Sequence, residues 1–285
     1  MAGAARDQAL SLLAAANNHG DLAVKLSSLR QAKDILFSLD PSSAADLFPY
    51  LVELQSSPET LVRRSLLESL NNADSFPGFL MAGSLVEEIG LKAMEHSSVL
   101  MPVLLTLLRD DDSNVAKHSI VSGSNIFCCV LEEMAFQFQR RGKIERWLEE
   151  LWSWKVKFKD AVFAIALEPG SAGTKLLALK FLETYVLLFT SNSGETEASV
   201  AEGSRRTFNI SSLVGGHPIL DPYILMSEAN RTLGILLNLL QSASSLPGSL
   251  TITVVNWSGG GTCIFHHADE LCYEELMDTA AWWYR

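Results

Sequence analysis

Apolar positions recur at three- and four-residue steps through most of the chain, the spacing of helices that bury one face, and short polar breaks separate the runs. Ala4 to Ala16 and Asp21 to Leu39 form the first two, where Gly20 can end one and Asp21 cap the other. Within the second, Leu22, Leu26, Leu29, Lys33 and Leu36 trace one face, with Lys33 expected to snorkel out of it. Asp40-Pro41-Ser42-Ser43 predicts a helix through Leu54 capped by Ser42 or Ser43, and Ser57-Pro58-Glu59 opens the next with proline in its first turn. A helix pair is expected between about Pro77 and Arg109, broken near His96-Ser97-Ser98. Asp112 or Ser113 caps a long helix through Gln139, Lys143 to Leu167 holds another, and Thr174 to Thr190 follows the turn Glu168-Pro169-Gly170-Ser171-Ala172-Gly173. Ser191 to Gly216 interrupts the pattern with serine, glycine and charge, and is expected to be a mobile insertion. Pro218 to Gln241 resumes it, and Pro247-Gly248 begins a helix expected to run past Val255.

Two of these stretches repeat one plan. Leu51 to Leu67 and Leu104 to Ile120 each run from an apolar helix end through a polar break to a valine followed by basic residues, Val62-Arg63-Arg64 and Val115-Ala116-Lys117. Aligning the valines places Leu51 on Leu104, Leu54 on Leu107 and Leu67 on Ile120. Thr174 to Thr190 with its preceding turn is a looser third copy. Self-similarity built from paired helices predicts an all-α, HEAT/armadillo-like solenoid of stacked antiparallel helix pairs, right-handed in its stacking. One pair cannot bury its apolar face alone, so neighbours stack and leave a long surface for partners. Function is therefore expected in binding.

Composition narrows the partners. Acidic residues outnumber basic ones by 33 to 22, for a net charge of −11, which argues against charge-driven affinity for nucleic acid across the whole surface. The N-terminal residues lack the apolar core of a secretory signal, and the run Leu176 to Phe189 is too short to span a bilayer, so a soluble intracellular protein without membrane contact is expected. Four cysteines, with Cys128 and Cys129 adjacent, do not make a disulfide framework.

Cys263, His266, His267 and Cys272 are of zinc-binding type, but a second matching pair is missing, so no metal or cofactor is assigned. Arg140, Arg141, Lys143, Arg146, Lys155, Lys157 and Lys159, interleaved with Trp147, Trp152 and Trp154, outline a rival reading, an RNA-contact face over 140–159. Glu145, Glu149, Glu150 and Asp160 dilute it, and tryptophans at helical spacing usually pack between repeats. Asp110-Asp111-Asp112 precedes a helix, where acids favour the positive end, and lacks the alternation of a calcium loop. Asn209, Asn230 and Asn256 satisfy the glycosylation pattern but carry no weight without a secretory signal. Nucleophile elbows, phosphate-binding loops and helical zinc-protease motifs are missing, so a non-enzyme is expected.

Three blocks then carry a family resemblance. Leu107-Leu108-Arg109-Asp110-Asp111-Asp112-Ser113-Asn114-Val115-Ala116-Lys117, then Ala178-Leu179-Lys180-Phe181-Leu182-Glu183, then His217-Pro218 leading into Leu236-Leu237-Asn238-Leu239-Leu240 resemble the N-terminal region of symplekins, in family order and with a plant-like character. The resemblance covers roughly residues 5 to 255. It implies a helical-repeat array over 1–255, with the insertion at 191–216, acting in the nucleus as a scaffold of pre-mRNA cleavage and polyadenylation. It further implies that the concave helices hold a phosphatase of the RNA polymerase II C-terminal repeats, beside other cleavage and polyadenylation factors. The interface lysine of the family matches Lys180, which interrupts the apolar run Leu176-Leu177-Ala178-Leu179; Lys175, Thr184, Lys117 and Asn125 are placed with it by copy-to-copy position. A generic helical-repeat adaptor is the remaining rival. After Asn256 the repeat pattern stops, and 256–285 is expected to be a foreign, poorly packed tail that cuts the array short.

Overall fold

A computed structural model describes residues 2–67, 85–190, 208–213 and 215–241, and every regular element among them is helical. In chain order these are α1 (Ala2–Asn18), α2 (Leu22–Ser38), α3 (Pro41–Ala45), α4 (Phe48–Leu54), α5 (Thr60–Leu67), α6 (Leu85–Lys92), α7 (Met101–Leu107), α8 (Ser113–Arg141), α9 (Arg146–Leu167), α10 (Ala172–Phe189) and α11 (Pro222–Gln241). A 3₁₀ turn, Met94–Leu100, joins α6 to α7, where a break was expected at His96-Ser97-Ser98. The chain has an all-α helical-repeat fold. Most of the interruption expected at 191–216, the helix expected after Pro247-Gly248 and the whole tail at 256–285 lie outside the described residues.

The residues divide into two compact units, Met1–Met134 with Ile144–Leu177, and Ala135–Lys143 with Ala178–Arg285. In the first, α1 folds back on α2 through the predicted break, Asp21 Oδ1 accepting the Ala23 amide at 2.8 Å. Ala9, Leu13 and Ala16 of α1 and Leu29, Ala32 and Leu36 of α2 are buried. Lys33 does not snorkel: it is buried, its ammonium 5.3 Å from the Phe37 ring centroid. Lys25, absent from the predicted face, is buried too and pairs with Glu59 at 3.0 Å.

The repeated plan is built as read. Leu51 and Leu104, Leu54 and Leu107, Val62 and Val115, and Leu67 and Ile120 are all buried. Sequence reading missed a further match, for Pro49 and Pro102 each sit in the first turn of a seven-residue helix, α4 and α7. Pro49 also explains why the helix predicted from Asp40 to Leu54 is two. Lacking an N–H, it cannot bond the Ala45 carbonyl, so the chain breaks at Asp46-Leu47. Asp40, and not a serine, caps α3 by accepting the Ser43 amide, and Pro58 precedes α5 instead of lying in its first turn.

Arg63, the first basic residue of the plan, ties the two copies together. Its Nε donates to Asp110 Oδ2 at 2.6 Å and its Nη2 to Asp110 Oδ1 at 3.0 Å, a two-pronged ion pair. Its Nη1 donates to the carbonyls of Ser57 and Pro58 at 2.8 and 3.2 Å, so one guanidinium also satisfies the break of its own copy. Lys92 closes the other end of α2, its ammonium donating to the carbonyls of Phe37 at 2.6 Å and of Leu39. Downstream, α8 meets α9 at Gly123, where a Cβ would stand 2.1 Å from the Phe158 ring. Alone among the described helices, α8 is long and apolar enough to cross a membrane by length and composition, and half of its most apolar window is buried inside the protein.

In the second unit, α10 and α11 are tied by the Tyr185 hydroxyl donating to Glu228 at 2.8 Å. The helix predicted from Pro218 begins instead at Pro222, behind the Asp221 cap, because His217 shapes the preceding turn. Its Nδ1 accepts the amides of Ile219 and Leu220 at 3.2 and 2.9 Å, and its ring lies 4.8 Å from that of Phe138.

Gly123→Ala should lose about 1–3 kcal/mol through the clash with Phe158. Gly90→Ala, whose methyl would meet nothing nearer than 3.7 Å, should be neutral or gain about 0.5–1 kcal/mol from helix propensity. Denaturant melts of both variants check the contrast; equal effects would discount the Gly123 contact. Arg63→Ala should cost about 1–3 kcal/mol at neutral pH. Burial works to raise the Asp110 pKa, but the Arg63 fork and the Asp112 amide outweigh it and hold the carboxyl below its ordinary value. The contribution of the pair is therefore fully present above the unfolded carboxyl's range and is lost as pH falls through the depressed value. Melts across pH should show the cost of Arg63→Ala shrinking in that acid range to the part that its bonds to the Ser57 and Pro58 carbonyls contribute.

Candidate functional site

Helix α10 is apolar almost all round, and only a narrow part of it meets solvent. Ala178, Leu179, Phe181, Leu182, Tyr185 and Val186 are buried, whereas Lys180 is exposed on the opposite side. Its ammonium sits 2.9 Å from Glu183 Oε2, three residues on, and the lysine side chain is 63% exposed against 17% for the glutamate. Thr184 lies on the same face, its hydroxyl donating to the Lys180 carbonyl at 3.0 Å. One further turn along, Leu187 is exposed at 43%. Neither Glu183 nor Leu187 was singled out from sequence, although the Lys-x-x-Glu spacing was there to be noticed.

The other site residues belong to the first unit. Lys117 lies across the first turn of α10, where Gly173 has no side chain to block it; a Cβ there would be 2.6 Å from Lys117 Cε. The same ammonium reaches Asn114 Oδ1 at 3.3 Å. Lys175 is half-buried on the following turn, its amide bonded to the Ser171 carbonyl at 3.0 Å. Asn125 is exposed on α8, about a quarter of a turn round the helix from Lys117. Lys117 is thus joined to the α10 N-terminus that carries Lys175, and Thr184 to Lys180.

The basic and aromatic segment 140–159 is dispersed by its own packing. Lys155 is fully buried with its ammonium 5.7 Å from the Phe158 centroid, which removes it from any contact face. Trp152 packs on Phe127 at 5.7 Å, Trp147 donates to Glu145 at 2.6 Å, and Lys159 pairs with Asp160 at 3.4 Å. Arg140, Arg141, Lys143 and Arg146 remain exposed. Arg140 lies 4.6 Å from the Phe136 centroid and Lys157 4.2 Å from that of Trp154.

The remaining motifs resolve into structure. Asp112 caps α8, accepting the Asn114 amide at 2.7 Å, as expected of the aspartate run, while the role of Asp110 in the Arg63 pair was not foreseen. Asn209 is engaged in capping α10: its Nδ2 donates to the carbonyls of Leu187 and Thr190 at 3.3 and 3.1 Å. Burial, reinforced by Cys129 and Glu132, pushes the Cys128 thiol up to about 11, which keeps it protonated and unreactive near neutrality. Cys263, His266, His267 and Cys272 lie outside the described residues, and no cluster of metal-holding side chains occurs among those described.

Compared with known families, the chain matches the model of the Symplekin/PTA1 N-terminal region over residues 112–259, more than half its length. The match opens at Asp112, the cap of α8, and takes in α9, α10 and α11 with the Lys180 stripe.

Proposed function

The chain belongs to the Symplekin/PTA1 family, and from that premise we propose that the solvent-facing stripe of α10 docks a phosphatase of the RNA polymerase II C-terminal repeats. Membership carries the broader role: a scaffold of nuclear mRNA 3′-end processing that works with cleavage and polyadenylation factors. The observation that supports docking is Lys180, an exposed cation on a helix whose other faces are buried and almost wholly apolar. An exposed ammonium suits a partner carboxylate, because the contact between the two surfaces excludes water and strengthens the pair. Thr184 extends the same stripe, and Lys175, Lys117 and Asn125 are the further contacts of the proposal. A helical array of this kind would act by holding the phosphatase near its substrate, and by stabilising its native state through binding.

The test is the affinity of the phosphatase for the unmutated chain and for Lys180→Ala, measured by calorimetry on chains shown folded by circular dichroism. Removing one charge-assisted contact should weaken binding about ten- to hundredfold. A folded, unmutated chain that fails to bind rejects docking. Equal affinity of the two chains rejects Lys180 as the anchor and leaves the scaffold role standing.

A further inference from the structure

Lys180, Glu183 and Thr184 occupy one face of α10 at three- and four-residue spacing, and the pair at its centre is asymmetric. The glutamate side chain is largely covered while that of the lysine is mostly exposed. One contact to Glu183 leaves an ammonium with further N–H groups for an incoming acceptor. An acceptor that reaches Lys180 also arrives near Glu183, and two carboxylates in so small a space repel.

We propose that Glu183 is an intramolecular competitor for the partner carboxylate that Lys180 receives, and that it sets the affinity of the α10 stripe. In the free chain Glu183 holds the ammonium and keeps the stripe neutral, which discourages acidic proteins in general. A partner must then offer a carboxylate well enough placed to share the ammonium against that repulsion. The inference rests on the docking reading and goes beyond it by stating the partner's chemistry and the residue that tunes selectivity. Glu183 acts through Lys180 and is a positioning residue.

The experiment is a double-mutant cycle on the full chain, comparing Glu183→Gln, Lys180→Ala and the double variant for affinity toward the polymerase-tail phosphatase at low and raised salt. Glutamine keeps the shape of the glutamate without its charge, and circular dichroism confirms the fold. Glu183→Gln should tighten binding about two- to fivefold at low salt. The gain should shrink as salt rises and vanish when Lys180 is alanine. Unchanged or weaker binding by Glu183→Gln overturns the proposal, as does a gain that survives without Lys180. Failure of the unmutated chain to bind overturns the docking reading and this one with it. Normal binding with an insensitive Glu183→Gln overturns this one alone.

Discussion

The clamp from Arg63 to Asp110 is the constraint on which the repeat geometry of the first unit depends. A helical repeat must turn its chain inside a stack, and each turn leaves carbonyls with no helical partner. Arg63 takes up two of these in its own copy and the Asp110 carboxylate in the next, with guanidinium and carboxylate side chains only 16% and 5% exposed. Lys25 does similar work one step earlier, bonding Glu59, which in turn accepts the Ser57 hydroxyl at 2.7 Å. A polar string thus runs from α2 through the first break to the second. Removing Arg63 would leave the covered Asp110 carboxylate without that partner, so the string specifies register as well as adding stability.

The string changes character at the second copy, where Ala116 stands in the position of Arg63 and the basic role passes to Lys117. Lys117 bonds Asn114 in its own turn and lies over Gly173 at the start of α10. The plan has shifted from a buried clamp to a half-exposed cation beside the helix that carries the candidate surface. Close approach elsewhere relies on missing side chains: at Gly123 the Phe158 ring occupies the space a methyl would need. These contacts set α8, α9 and the first turn of α10.

Sequence reading recovered much of the fold because the strongest signals are local. Asp21 and Asp112 cap the helices they were expected to cap, and the superposed pairs from Leu51 and Leu104 onward are buried together. It erred where two local signals competed, as at Pro49, whose missing N–H breaks a helix that periodicity alone would continue. It erred again at Lys33, because the snorkelling habit of lysine says nothing of whether a stem long enough to reach solvent has solvent to reach. For the candidate site, Lys180 was legible as a charge inside an apolar run, whereas its pairing with Glu183 and the exposure of Leu187 were not noticed.

By itself the sequence determined most of the helices, the caps at Asp21 and Asp112, the repeated valine and leucine positions and the family, since each depends largely on residues a turn or two apart. Only the tertiary structure decided that Asp110 meets Arg63, that Lys155 is enclosed beside Phe158, and that Gly173 makes room for Lys117. Those outcomes depend on side chains brought together from separate helices, where the direction and length of each stem and the space left by its neighbours select the partner. Periodicity says which face turns inward; it does not say what waits there.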